Sequence, residues 1–264
     1  MSAPADVLQK ITARRRERLA EAAGGTLPGL AAGAPRSAAD NRFLAALTAR
    51  RGTGIPAIIA EVKMGSPRLG SLVGRIDPCR QAETYAANGA AALSVVVEPD
   101  FFHGGYDLLA ACRQASGLPS IAKDFIVDPL QLLWAKEAGA DAILLIAALY
   151  APEELVRYAG WARGLGLVPL IETHDREDVA KLAGSEWELV GVNNRNLRTF
   201  EVDLAASIDL LATLPTGAIK VAESGLDGRA AVDRLGAAGF DAFLIGESLL
   251  LAEDPAAKLR ELAG

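Results

Sequence analysis

The stretch 136–148, KEAGADAILLIAA, decides how the chain folds. It reads as a helix end, a glycine, an acidic residue and then an apolar run rich in Ile and Leu. Glycine just past a helix end supplies the left-handed backbone that stops the helix. The run after it is apolar at successive positions, so the strand it forms is covered on both faces. The same plan returns in AANGAAALSVVVE (86–98) and GAAGFDAFLIGE (236–247). Helix end, glycine and buried strand, repeated, describe a parallel sheet built from βα units.

Followed along the chain, this alternation predicts eight strands, with cores near 56–62, 92–97, 119–123, 142–147, 167–172, 189–193, 218–222 and 242–246. Helical patterns lie between them, clearest in DPLQLLWAKEAG, APEELVRYAGWARGLG, DREDVAKLAG and GRAAVDRLGAAG. Several open with Asp-Pro, Ala-Pro or Asp, which suit a helix start. Eight βα units fit an α/β fold closed as a (β/α)8 TIM barrel, with an open doubly wound sheet the weaker alternative. No internal linker interrupts the pattern, so residues 1–264 are read as a single barrel domain. Residues 1–50 form a helical N-terminal extension, whose amphipathic helix, roughly 5–23, is placed to cover one barrel end.

Composition excludes several classes. Hydrophobic residues make up 51% and charged residues 23%, ample for a packed core. A net charge of −6 argues against nucleic acid as a partner. The one basic cluster, Arg14-Arg15-Arg16, is flanked by Glu17 and Glu21, as on a solvated helix face. Cys79 and Cys112 are far apart and lack metal-ligand spacing, which speaks for two small packed side chains and no metal site. No apolar run approaches the ~20 residues that span a bilayer, and the N-terminus lacks the apolar core of a signal peptide. The expectation is a soluble cytoplasmic protein with no membrane partner, a monomer or weak homo-oligomer.

A barrel places chemistry at the carboxyl ends of its strands. Strand one ends IIAEVKMGSP, with Glu61 and Lys63 two apart and so on one face. The third ends SIAKDF, the fifth PLIETH, the sixth GVNNRN and the seventh KVAESG. Lys123, Glu172, Asn193, Arg195 and Glu223 therefore all stand where an apolar strand runs out. One such residue is ordinary solvated strand end; several at one mouth point to an active site. Lysines among carboxylates shift one another's proton affinities. A lysine there can donate a proton or polarise a carbonyl, and a Schiff base is the other chemistry open to it. His174 follows Glu172 at i+2 and is read as a surface histidine, with a place on the mouth the weaker alternative; neither it nor His103 has an evident nucleophile to activate.

A phosphate cradle is the second expectation. The last two strands end in ESGL and IGESLL, and small residues there let backbone N–H groups approach an anion. The candidates are Gly225, Gly246 and Ser248, with Ser224 close by and Ser66 added by the MGSPRLG loop.

These segments together resemble the indole-3-glycerol-phosphate synthase family, barrel enzymes of tryptophan biosynthesis. The resemblance is carried by IAEVKMGSP (59–67), FFHGGYDLL (101–109), AKDFIVDPLQL (122–132), GVNNRNLRTFEVDL (191–204), AESGL (222–226) and LIGESLL (244–250). They run in family order over nearly the whole chain. The resemblance implies 1-(2-carboxyphenylamino)-1-deoxyribulose 5-phosphate as substrate, and indole-3-glycerol phosphate, carbon dioxide and water as products, with no cofactor or metal. Lys123 then resembles the general acid of ring closure, Glu172 the base of the dehydration and Lys63 the lysine that assists it and holds the substrate's anionic groups. Glu61 and Asn193 would orient them, and Arg195 and Glu223 would line the pocket. Ser66, Ser224, Gly225, Gly246 and Ser248 would surround the phosphate and substrate chain. Phe102, Phe125 and Leu197 match positions that would sandwich the anthranilate ring, or else pack the barrel rim. The loop Met64-Gly65-Ser66-Pro67-Arg68 departs from the family pattern, as does Val97 before Glu98.

Two other functions compete. A ribulose-phosphate isomerase is expected to use a Cys/Asp or Asp/Asp pair, whereas the strand ends here carry Lys and Glu. A non-catalytic sugar-phosphate-binding barrel is expected to lose its proton-transfer groups, and Lys63, Lys123, Glu172 and Glu223 are all present. Lys123→Ala is expected to abolish turnover at little cost in stability, since a strand-end lysine packs little.

Overall fold

The computed structural model of the protein describes residues 6–22, 29–195 and 201–264. Parallel strands close a barrel in the order β1 (Ala57–Val62), β2 (Ala92–Val96), β3 (Ser120–Lys123), β4 (Ala142–Ile146), β5 (Val168–Thr173), β6 (Leu189–Asn193), β7 (Ile219–Glu223) and β8 (Ala242–Ile245). β1 pairs with β2 on one side, Glu61 opposite Ser94, and with β8 on the other, Ile59 opposite Leu244. That second pairing shuts the cylinder and rules out the open doubly wound sheet. Each strand begins and ends within one residue of the core anticipated for it.

The helices are α1 (Asp6–Ala22), α2 (Arg42–Thr48), α3 (Pro78–Ala87), α4 (Tyr106–Ser116), α5 (Leu130–Glu137), α6 (Pro152–Gly164), α7 (Arg176–Ala180), α8 (Leu204–Leu211), α9 (Arg229–Ala238), α10 (Glu247–Leu250) and α11 (Pro255–Ala263). Asp77 caps α3 by accepting the N–H groups of Cys79 and Arg80, and Asp254 caps α11 by accepting that of Ala257. Such caps satisfy donors that a helix start leaves unpaired. The repeat glycines do what the sequence asked of them. Gly89, Gly139 and Gly239 follow α3, α5 and α9 with φ of +100, +83 and +118.

Alternation along each strand sorts the core into two shells. Ile58, Ala60 and Val62 of β1 face the helices, in one apolar cluster with Leu93, Val95, Leu109 and Leu132. Ala57 and Ile59 face inward and join Ile121, Val168, Leu170, Leu189, Ile219, Val221 and Leu244 inside the cylinder. Phe43, Leu44 and Leu47 of α2 belong to that inner cluster, so α2 plugs one end. Burying Phe43 and Leu47 completely stabilises the plug by roughly 1.5–3 kcal/mol per side chain. The opposite end is left to chemistry.

Candidate active site

Continuing the alternation by one more inward position reaches the site. β1 reads Ala57, Ile59, Glu61; β5 reads Val168, Leu170, Glu172; β7 reads Ile219, Val221, Glu223. In β3 the inward Ile121 is followed by Lys123, and β6 ends its inward row with Asn193. The third inward layer is thus charged where the two beneath it are apolar. Glu61, Lys123, Glu172 and Asn193 border a cavity of about 630 Å³, with Lys63, Ser66, Phe102, Phe125, Arg195, Ser224, Gly225, Gly246 and Ser248 also on its wall. Glu223 lies just beneath that wall, against Lys123. Leu197 falls outside the described residues. Cys79 and Cys112 sit on α3 and α4, outside the barrel, and neither lines the cavity.

The ionisable groups form one connected network. Lys123 Nζ stands 3.3 Å from Glu61 Oε2 and 3.3 Å from Glu223 Oε2, and Lys63 Nζ donates to Glu61 Oε1 at 3.0 Å. Burial would raise the Glu61 carboxyl, but the Lys63 and Lys123 charges outweigh it and hold Glu61 at about 2. Burial would likewise lower Lys123, yet Glu61, Glu223 and Glu172 drive its ammonium well above the usual lysine range. Glu223 is raised to about 8 by burial and by the adjacent Glu172, against the pull of Lys123. Glu172 resists burial through His174 and Lys123 and is held at about 2. Burial and the neighbouring Glu172 thus favour the protonated form of Glu223, while His174 and Lys123 favour the ionised form of Glu172.

His174 corrects the surface reading. Its ring is 12% exposed, with Nε2 3.2 Å from Glu172 Oε1 and Nδ1 3.4 Å from Asp178 Oδ2. Burial opposes its charge, but Asp178 and Glu172 prevail and raise it to about 10. Asp178 is pinned in turn by Lys181, 3.3 Å away. The sequence signal was the Glu-x-His spacing at the end of β5, which puts both side chains on one face.

The basic cluster is corrected too. Arg15 is 4% exposed and grips Asp124 through Nε at 3.1 Å and Nη2 at 2.5 Å. Tyr106 and Gln131 donate to the same carboxylate at 2.8 and 2.9 Å. Arg14 and Arg18 reach Asp100 at 3.4 and 2.7 Å. Glu98, fully buried, accepts the N–H groups of Asp100, Phe101 and Phe102. Helix α1 is thereby fastened to the loops carrying Phe102 and Phe125, and its Val7, Leu8 and Ile11 roof the cavity. A charge count along the helix could not find this, because the partners lie about a hundred residues away in the chain. Phe102 and Phe125 do not face each other across a slot. Their centroids are 5.9 Å apart at 34°, so they touch and make one apolar wall.

The end expected to take the phosphate is built from backbone. Ser224 and Gly225 both have positive φ, +66 and +71, and a Cβ on Gly225 would lie 2.1 Å from Val202 Cγ1. Asn194 holds this turn, donating through Nδ2 to the carbonyls of Glu223 and Ser224 at 2.9 and 2.7 Å. That gives Asn194 a structural role, while Asn193 faces the cavity. Ser248 Oγ donates to the Leu226 carbonyl at 2.7 Å. Helix α10 has only four residues, so it offers N–H groups and no sizeable dipole. Gly65–Ser66 pairs antiparallel with Gly70–Ser71, and Arg68 is at the tip of that hairpin. A Cβ at Gly65 would lie 2.7 Å from both Gly70 O and His103 Cδ2, which explains the small residue after Met64.

Among the described residues no cluster suited to a metal ion occurs, and no helix is long and apolar enough to cross a membrane. The family model described as indole-3-glycerol phosphate synthase matches residues 8–262. The indole-3-glycerol phosphate synthase of Burkholderia vietnamiensis (strain G4 / LMG 22486) is 43% identical over 258 residues, 97% of this chain and 98% of that protein. That of Albidiferax ferrireducens (strain ATCC BAA-621 / DSM 15236 / T118) is 40% identical with the same coverage. Among solved structures, thiamine phosphate pyrophosphorylase from Pyrococcus furiosus aligns with a TM-score of 0.57 at 14% identity, over 79% of this chain and 93% of that one. At that identity the likeness concerns the fold alone. With a family model over nearly its full length and relatives above 40% identity, the chain belongs to the indole-3-glycerol phosphate synthase family, carboxy-lyases of tryptophan biosynthesis.

Proposed function

We propose that the cavity binds 1-(2-carboxyphenylamino)-1-deoxyribulose 5-phosphate with its phosphate against Ser224, Gly225, Gly246 and Ser248 and its ring against the Phe102–Phe125 wall. The observation that carries the reading is the position of Lys123, an ammonium between the Glu61 and Glu223 carboxyl groups on the floor of an otherwise largely apolar cavity. In such surroundings a fixed charge is worth more than in water.

The ring carbon bearing the carboxylate attacks the ketone, and Lys123 gives its proton to the oxygen as the carbon–carbon bond forms. Raised as it is, Lys123 is fully protonated at neutral pH. It releases the proton only to a stronger base, which the nascent alkoxide is. Carbon dioxide then leaves, and its bonding electrons restore the aromatic ring. Next the new hydroxyl departs as water with a proton from Lys63, pushed by the ring nitrogen. Glu172, held ionised by His174, takes the proton from the adjacent carbon, which the cationic nitrogen has acidified. The second double bond of the indole results. Glu61 fixes both lysines, Asn193 orients the substrate and Arg195 serves its anionic groups. On this reading the protein acts as a monomer or weak homo-oligomer in the cytoplasm.

The test is a continuous assay of indole fluorescence with this substrate and no added nucleotide or metal. Growth of the signal in wild type and its loss in Lys123→Ala are expected. A folded Lys123→Ala chain with near-normal turnover would overturn the assignment.

A further inference from the structure

Two guanidiniums converge on one carboxylate beside the phosphate cradle. Arg68, from the hairpin tip, forms an ion pair with Glu247, and Arg195 Nη2 lies 3.4 Å from Glu247 Oε2. All three side chains line the cavity, alongside Ser66, Gly225 and Ser248. The lysines of the wall, Lys63 and Lys123, are already engaged with Glu61 and Glu223.

We propose that Arg68 is a further phosphate-binding residue and that Glu247 is an internal competitor for its guanidinium. The inference rests on reading this end of the cavity as the phosphate subsite. Three features carry it. First, the Arg68–Glu247 pair is 51% and 34% exposed, and ion pairs that open to water are weak, so the pairing exchanges readily. Second, a planar guanidinium matches a phosphate by two parallel hydrogen bonds, a better fit than a single carboxylate oxygen. Third, Glu247 keeps Arg195 when Arg68 turns to the anion, so the exchange strands no charge. The hairpin bond pairs Gly65–Ser71 and Ser66–Gly70 set where Arg68 can reach. The departure of this loop from the family pattern thus supplies a positive charge at the subsite from position 68.

Inorganic phosphate is the probe, titrated calorimetrically and as a competitive inhibitor of the full chain. Arg68→Ala is expected to weaken phosphate about tenfold and to raise KM for the substrate more than it lowers kcat. Glu247→Gln is expected to tighten phosphate about threefold, a gain that disappears in the Arg68→Ala/Glu247→Gln double variant. Melting curves confirm that each variant is folded, as the exposure of both side chains leads one to expect. Phosphate affinity within twofold of wild type in Arg68→Ala, or weaker binding in Glu247→Gln, would overturn the proposal. No measurable phosphate binding by the wild-type chain would do the same. A chain that binds phosphate through Arg68 yet forms no indole product would contradict the catalytic assignments and leave this one standing.

Discussion

Lys123 Nζ lies 3.3 Å from Oε2 of Glu223, a side chain with no solvent exposure, and Glu223 in turn abuts Glu172. This one contact joins the lysine proposed as the acid of the first step to the carboxyl pair that includes the proposed base of the last. It also changes what removing the lysine should do to the fold.

Lys123→Met should lower kcat by at least about 100-fold, the usual contribution of a placed general acid. The sequence led to the expectation of little loss in stability, but the ammonium compensates the ionised and buried Glu61. Breaking such a contact costs up to about 3 kcal/mol, because a buried charge is left without its partner. Urea unfolding of Lys123→Met and of Lys123→Met/Glu61→Gln checks this. The second substitution should recover part of the stability and none of the activity.

His174 makes stability depend on pH. Its imidazole is raised from 6.5 to about 10, so its contribution is complete below about pH 6.5 and disappears as pH rises through 10. Glu223, raised to about 8, acts in the same direction. The folded chain keeps a proton that the unfolded chain has released above its ordinary value of 4.5, so stability falls between there and pH 8. The melting temperature should therefore drop between pH 6.5 and 10, and His174→Asn should flatten the portion above pH 8. An unchanged slope in that variant would remove His174 from the network.

Gly246→Ala should damage chemistry from the phosphate side. The added methyl would lie 2.4 Å from Glu61 Oε1, the oxygen that accepts from Lys63. Glu61 must swing away, releasing both lysines. A fall in kcat of about tenfold or more is expected, since small misplacements of positioned groups are costly. If KM alone changed, the coupling between cradle and carboxylate would be wrong.

Arg15→Ala should loosen the roof. It leaves Asp124 buried with only Tyr106 and Gln131 as side-chain donors, and frees α1 from the loop that carries Phe125. Faster amide exchange in 6–22 and a KM raised more than kcat is lowered are the expected results. Exchange equal to wild type would show that α1 is held by its apolar face alone.

Much of this molecule was legible along the chain. Strand type and number follow from short apolar runs between glycine-stopped helices, a local pattern set by backbone sterics and burial. The level of Glu61, Lys123, Glu172, Asn193 and Glu223 follows as well, because a strand repeats every two residues and each row simply continues past its apolar members. The relations that tune these groups were not legible. Arg15 with Asp124, His174 between Glu172 and Asp178, and the contact of Phe102 with Phe125 depend on which loop folds over which strand end. Periodicity tells which way a side chain points from its own strand. Partner, distance and dielectric belong to closure of the cylinder, which brings residues about a hundred positions apart within a hydrogen bond. Tertiary structure alone decided that Glu172 is pushed toward its ionised form and Glu223 toward its protonated one, since proton affinity depends on the neighbours a carboxyl meets after burial.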